Sequence, residues 1–259
     1  MARRKTIAPV AKSPAYIGAF SGDHNEPGGV TADVPTGCGA LDSLLGGGFE
    51  RGTATQLYGP PGAGKTNVAL SSAVAVAATG GQALYIDTEG LSIERFEQVL
   101  AGNTTDQDSA AQNVIVSEAL DFDEQAEAVK DAAEFGDQLD LIVLDSATGF
   151  YRLRRTADTE NGDALRAVAD QVTHLLGLAR KHDIAVVLTN QVFSDPDSDG
   201  GRPRPLGGHT LSHWTGTIVR LDRYKGSNRR AVLEKHRAKA EGESAEFVIA
   251  GDGIETSQR

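Results

Sequence analysis

The sequence predicts an α/β fold: a central, mostly parallel sheet flanked by helices, extended toward the C-terminus by a β-meander. Three observations lead there. Short apolar segments alternate with amphipathic helical stretches along most of the chain. Those segments are nearly continuous Val/Ile/Leu runs, as strands covered on both faces require. A glycine-rich turn, Gly59 to Thr66, joins one such strand to the helix that follows it.

In chain order, strands are expected at 53–58, 83–87, 113–116, 141–145 and 184–189. Helices are expected at 65–78, 92–101, 121–135 and 162–182. The tail from 216 to 255 reads as a meander with strands at 217–223, 231–236 and 246–249. Two long polar connections, 147–162 and 193–208, each follow the carboxyl end of a core strand. Ligands of open α/β sheets bind at that edge.

The remaining 33 residues, at the start, lack periodicity and carry Pro9, Pro14, Pro27 and the Gly28–Gly29 pair. They read as a disordered leader. The only methionine is Met1 and the ordered pattern begins after Thr31, so translation from Val30 is a further expectation. The longest apolar run, near 73–78, is far short of the ~20 residues that span a bilayer, and no signal peptide opens the chain. Cys38 is the one cysteine of 259 residues and forms no internal disulfide, which fits a reducing cytoplasm.

Charge narrows the reading. The chain has 36 Asp+Glu against 25 Lys+Arg, a net charge of −11, with 21 Asp and 15 Glu, and with 17 Arg but only 8 Lys. Excess aspartate with few lysines keeps a protein hydrated in high salt and points to a halophile's cytoplasm. Global acidity argues against nucleic acid as a partner, yet the charge is segregated. Residues 78–146 carry 2 basic and 16 acidic side chains, whereas 147–239 carry 16 basic and 10 acidic.

The segment Gly59, Pro60, Pro61, Gly62, Ala63, Gly64, Lys65, Thr66 is a full G-x-x-x-x-G-K-[ST] match between strand and helix. Phosphate oxygens need convergent N–H donors with no side chain in the way. Gly62 and Gly64 allow that backbone path, and the helix adds its positive end. Lys65 reaches the β/γ-phosphates and the Thr66 hydroxyl suits Mg²⁺. A metal bridging two phosphates also calls for a carboxylate, which Asp145 supplies at the end of LIVLD. Asp87 and Glu89 end another core strand in YIDTEG, and Glu89, with the longer reach, is the better group to orient a water. Gln191, in LTNQV, either senses the γ-phosphate or satisfies backbone groups.

Together with PTGCGALDSLLGGGFERG, PLGGHTLSHWTGTIVRLDR and KHRAKAEGESAEFVI, these segments resemble the RecA/RadA recombinase superfamily. Within it the likeness is to the short archaeal RadB family and covers about residues 33–254. The resemblance implies a RecA-like core over 34–259 that binds ATP and Mg²⁺. It places Glu89 as catalytic glutamate beside Lys65, Gln191 as switch glutamine and Arg95 as the arginine that stacks on adenine. It puts DNA-contacting loops at the two long connections, which carry Arg152, Arg154, Arg155, Arg202 and Arg204. Nothing here matches the helix-hairpin-helix domain or the Phe-x-x-Ala plug of full-length RadA, so self-association stays open while a filament is not expected. RadB-like proteins are regarded as recombination mediators that bind ATP and DNA, hydrolyse weakly and assist RadA.

Between Arg220 and Lys239 eight basic residues face two acidic ones. If neighbouring meander strands carry them, Arg229, Arg230, Lys235, His236, Arg237 and Lys239 form a DNA-binding face, single strands foremost. The alternative is a solvated edge protected by charge. At molar salt the Debye length is ~3 Å, so binding leans on arginine contacts and stacking, with Tyr151 the expected stacking residue. His209 and His213, four apart, read as structural or phosphate-relay groups rather than metal ligands. Two rival functions remain: a strand-exchange motor, which predicts strong DNA-stimulated turnover, and a KaiC-like signalling ATPase, which predicts no oligonucleotide binding.

Overall fold

A strand buried on both faces favours apolar side chains, and the central strands follow that preference except at Thr55, Gln56 and the polar residues of their carboxyl tips, Asp87, Asp145, Thr189 and Asn190. In chain order the strands are β1 (Ala54–Tyr58), β2 (Ala83–Asp87), β3 (Val114–Glu118), β4 (Leu141–Asp145), β5 (Ala185–Asn190), β6 (Val192–Phe193), β7 (Arg204–Pro205), β8 (Thr217–Arg223), β9 (Asn228–Lys235), β10 (Ser244–Ala250) and β11 (Gly253–Thr256). The helices are α1 (Gly39–Leu45), α2 (Lys65–Ala78), α3 (Ile93–Asn103), α4 (Gln107–Gln112), α5 (Phe122–Asp131), α6 (Asn161–His182) and α7 (Gly208–Trp214). The computed structural model describes residues 32–151, 161–193 and 204–257. The leader expected at the N-terminus lies outside them up to residue 31.

Nine strands form one sheet in the order β11-β10-β9-β8-β1-β5-β4-β2-β3. From β3 to β8 every neighbour is parallel, and from β8 to β11 every neighbour is antiparallel. Side chains alternate between two cores. Leu57, Val143 and Val187 pack toward α1–α4, while Ala54, Ile142, Leu144, Val186 and Leu188 pack toward α5–α7. Each fully buried Leu, Ile or Val contributes about 1.5–3 kcal/mol relative to exposure, which is why β1, β2, β4 and β5 are buried at every position.

The meander is covered on one face only. Val219, Leu221, Ala231, Leu233, Phe247 and Ile254 join the core on the α1–α2 side. The alternate residues, Arg220, Asp222, Arg230, Glu234 and Glu246, lie on the other face.

Three expected boundaries move most visibly. α5 stops at Asp131 and continues as a 3₁₀ helix, Ala132–Gln138. There Gly136 lies so close to His182 that a Cβ would meet its ring at 2.9 Å. β3 runs two residues past Val116, while β9 begins three residues before Ala231 because Asn228, Arg229 and Arg230 pair with β10. Strand β11 and helices α1, α4 and α7 had no counterpart in the sequence reading, being short elements made by their neighbours. Among the described residues no helix is long and apolar enough to cross a membrane.

Candidate nucleotide site

The phosphate loop leaves β1 at Tyr58 and returns as α2 at Lys65. Two local demands account for its glycines. A Cβ at Gly59 would meet the Leu221 carbonyl oxygen of β8 at 2.2 Å, so only glycine permits this approach. Gly62 and Gly64 have φ of 73° and 99°, a region that L side chains rarely adopt. The loop, with Asn67, Glu89 and Gln191, lines a cleft of about 380 Å³ at the carboxyl edge of the sheet.

Lys65 directs its ammonium back onto the loop, donating to the carbonyls of Gly59 (2.9 Å) and Pro60 (3.3 Å). Burial holds its pKa below the usual lysine value, against the opposing pull of Glu89 and Asp145. A triphosphate would replace those carbonyls with stronger acceptors.

Asp145, at the tip of β4, is only 2 % exposed. Burial raises its pKa above the ordinary carboxylate value, opposed by hydrogen bonds from Thr189, Tyr85 and Thr66. Tyr85 donates at 2.6 Å to one oxygen and Thr189 to the other. Thr66 and Asp145 are therefore neighbours, as residues holding Mg²⁺ at a bound triphosphate must be.

Asp87, weighed against Glu89 as the water-orienting group, is occupied elsewhere. Its carboxylate accepts the N–H groups of Glu89 (3.1 Å), Gly90 (3.0 Å) and Leu91 (2.6 Å), fixing the turn that presents Glu89. Glu89 faces the cleft, and its Oε1 accepts from both Ser146 Oγ (2.8 Å) and Gln191 Nε2 (2.9 Å). Thr88 clamps the backbone beneath: its hydroxyl accepts from Ser146 N–H at 2.8 Å and donates to the Ser146 carbonyl at 3.2 Å. Ser146, Thr88 and Tyr85 went unnoticed in the sequence because hydroxyls beside a Walker-type strand carry no spacing signal.

Arg95 borders the cleft. It donates to Asn67 Oδ1 (2.9 Å) and to the carbonyls of Gly251 (2.8 Å) and Gly253 (3.0 Å), tying α3 to the β10–β11 turn. Its guanidinium is thus fixed beside the cleft through its bond to Asn67, one of the cleft's lining residues.

The family model for Rad51 matches residues 30–257. The chain belongs to the Rad51 family. Within that family the similarity is to archaeal RadB proteins. The DNA repair and recombination protein RadB of Halobacterium salinarum is 67 % identical over 224 residues, covering 86 % of this chain and 95 % of the relative. The protein of the same description from Methanoculleus marisnigri is 42 % identical over 230 residues, covering 87 % and 99 %. A solved structure described as the RadB recombinase superposes with a TM-score of 0.73 at 35 % identity, covering 87 % of this chain and all of that one.

The second group of expected site residues is scattered by this Rad51-family core. Arg152, Arg154, Arg155 and Arg202 lie outside the described residues. Arg204 is exposed on β7. The basic residues of the meander do not share one face, because a strand's period of two divides them. Arg230 points outward and donates to Ser244 Oγ (3.0 Å), while Arg229, next to it, is buried. Lys235 donates at 2.7 Å to the carbonyls of both Ser212 and Thr215, capping α7. His236 Nδ1 accepts the Ala238 N–H at 3.1 Å. Arg237 pairs with Glu50, and Lys239 donates to the Ser43 carbonyl.

Tyr151, expected to stack on bases, is only 6 % exposed and belongs to the core beneath α6. The exposed large aromatics among the described residues are Trp214 (39 %) and Tyr224 (67 %). The His213 ring stands edge-on to Trp214 at 5.0 Å, and His209 is exposed on the same short helix.

Proposed function

We propose that the protein is an ATP- and DNA-binding mediator of homologous recombination and repair in the cytoplasm. In this reading it assists a RadA-type recombinase, hydrolyses ATP weakly and performs no strand exchange alone. The reading draws on its place beside RadB proteins of DNA repair and recombination and on the site just described. The single observation that carries it is the shared acceptor Glu89 Oε1, held by Ser146 and by Gln191. Gln191 follows β5 directly, between it and β6 at the root of the second long connection, so whatever draws its amide away reaches both the catalytic carboxylate and that connection.

The loop N–H groups and Lys65 bind the phosphates, and Arg95 with Asn67 borders the base. Thr66 and Asp145 would hold Mg²⁺, which neutralises charge shared by the β- and γ-phosphates. Glu89 orients water for in-line attack once Gln191 releases it toward the γ-phosphate. Hydrolysis stays slow because the carboxylate begins in a two-donor cradle that must first be broken. Arg230 and Arg204, both exposed, are the described members of the expected DNA-contacting set free to meet a phosphate backbone.

The deciding experiment measures ATP turnover and single-stranded oligonucleotide binding together at molar KCl, with and without RadA. Weak turnover, oligonucleotide binding and enhanced RadA loading are expected. Absence of oligonucleotide binding at every salt concentration refutes the mediator reading and favours a signalling ATPase. Strong DNA-stimulated turnover by the protein alone favours a motor.

A further inference from the structure

On β9 the alternation of the meander places Arg229 on the inward face, with Ala231 and Leu233. Register puts it opposite Phe247 of β10 and opposite Arg223 of β8. An arginine therefore occupies a position that the strand period reserves for core, with a like charge directly across the ladder, an arrangement that destabilises a strand pair.

Arg229 is 8 % exposed. One terminal nitrogen donates to the Gly226 and Asn228 carbonyls at 2.9 Å each, and Nε has no hydrogen-bond partner. Among the described residues no carboxylate pairs with it, whereas Arg220, on the opposite face of the meander, engages both Asp222 and Glu234. A buried cation without a counter-charge is costly, and burial together with Arg223 presses its pKa downward.

Its surroundings supply the missing anion's address. A Cβ built on Gly64 would lie 3.7 Å from Arg229 Cγ and 3.1 Å from Ile249 Cδ1. The aliphatic stem of Arg229 thus packs against Gly64 of the phosphate loop, its guanidinium reaches the carbonyls of the β8–β9 turn, and the residue is absent from the cleft lining.

We propose that Arg229 is a positioning residue for the nucleotide: a buried charge behind the phosphate loop whose counter-ion is the polyphosphate bound in front of it. It acts through Gly64, by favouring negative charge in the loop's concavity, and its guanidinium braces the β8–β9 turn against that loop. This role rests on the ATP-binding reading above, and it takes Arg229 out of the set of DNA contacts.

The test compares wild type, Arg229→Met and Arg229→Lys by isothermal titration with Mg-ATP and Mg-ADP, and by fluorescence anisotropy with a labelled oligonucleotide in nucleotide-free protein. Coulomb attraction scales with ligand charge. Arg229→Met is therefore expected to weaken ATP about tenfold and ADP clearly less, with oligonucleotide affinity unchanged. Arg229→Lys is expected to restore most of the ATP affinity, which a purely space-filling role would not do. If Arg229→Met fails to fold, Arg229→Gln takes its place in the same comparison. Equal losses for ATP and ADP, no loss for either, or weakened oligonucleotide binding with nucleotide affinity intact each overturn the proposal. Failure of the wild type to bind ATP at all brings down the nucleotide reading first, and this proposal with it.

Discussion

Tyr85→Phe isolates the cost of keeping an ionised Asp145 inside the sheet. The hydroxyl donates at 2.6 Å to a carboxylate that is 2 % exposed, and Phe removes the donor without changing the ring. A hydrogen bond to a charged group contributes about 1.5–3 kcal/mol. With roughly 2–4 °C per kcal/mol for a chain of this size, Tm is expected to fall by about 3–12 °C at pH 7.5. The pH dependence carries the argument. Asp145 has a folded pKa raised above its unfolded value, burial being the main cause. Its ionisation therefore costs stability, and that cost shrinks as pH falls through the folded pKa and is gone below the unfolded one. Without the Tyr85 donor the folded pKa rises further, so the deficit is largest at neutral pH and shrinks once Asp145 is protonated in both proteins. Denaturant unfolding of wild type and Tyr85→Phe from pH 7.5 to pH 4.5, in molar KCl, measures this. A destabilisation that stays constant or grows toward acid refutes the assignment of Tyr85 as donor to an ionised Asp145.

Other outcomes follow from the same geometry. Lys65→Ala is expected to abolish the ATP-induced rise in Tm while leaving the nucleotide-free protein folded, since the ammonium bonds only loop carbonyls in the structure. Gln191→Ala removes one of two donors to Glu89. ATP should still bind, with any oligonucleotide effect on turnover lost, and single-turnover assays with and without oligonucleotide check this. Arg230→Ala should weaken single-strand binding and flatten the salt dependence by about 0.7 in the log–log slope, whereas Lys235→Met, which uncaps α7, should act on stability by about 1 kcal/mol and not on that slope. Salt titrations of the two variants separate them.

Much of the phosphate end was legible because it depends on spacing along the chain. A glycine loop must follow a strand and open a helix, and helix α2 and strands β2, β4 and β8 begin and end where the apolar runs do. Asp145 and Glu89 could be placed at the carboxyl edge of the sheet from strand ends alone, since parallel strands bring their carboxyl tips to one edge. The basic segment was misleading for a physical reason. Counting its charges treats them as equivalent, while pairing with β8 and β10 sends Arg229 inward and Arg230 outward, and Lys235, Arg237 and Lys239 find carbonyl or carboxylate partners far off in sequence. Tyr151 failed likewise: adjacency to a polar connection says nothing of which side the ring faces, and it faces the core.

Taken alone, the order of residues determined the parallel α/β class, the Gly59–Thr66 loop and the carboxylates at the strand tips, because each follows from local periodicity and from backbone freedom. Only the tertiary structure decided that Asp145 is held by Tyr85, Thr66 and Thr189, that Glu89 is shared between Ser146 and Gln191, and that the Arg229 stem packs against Gly64. These are contacts between residues tens to more than a hundred positions apart, set by strand order and register, and no pattern within a short window of sequence encodes which distant side chain will fill a given side of a strand.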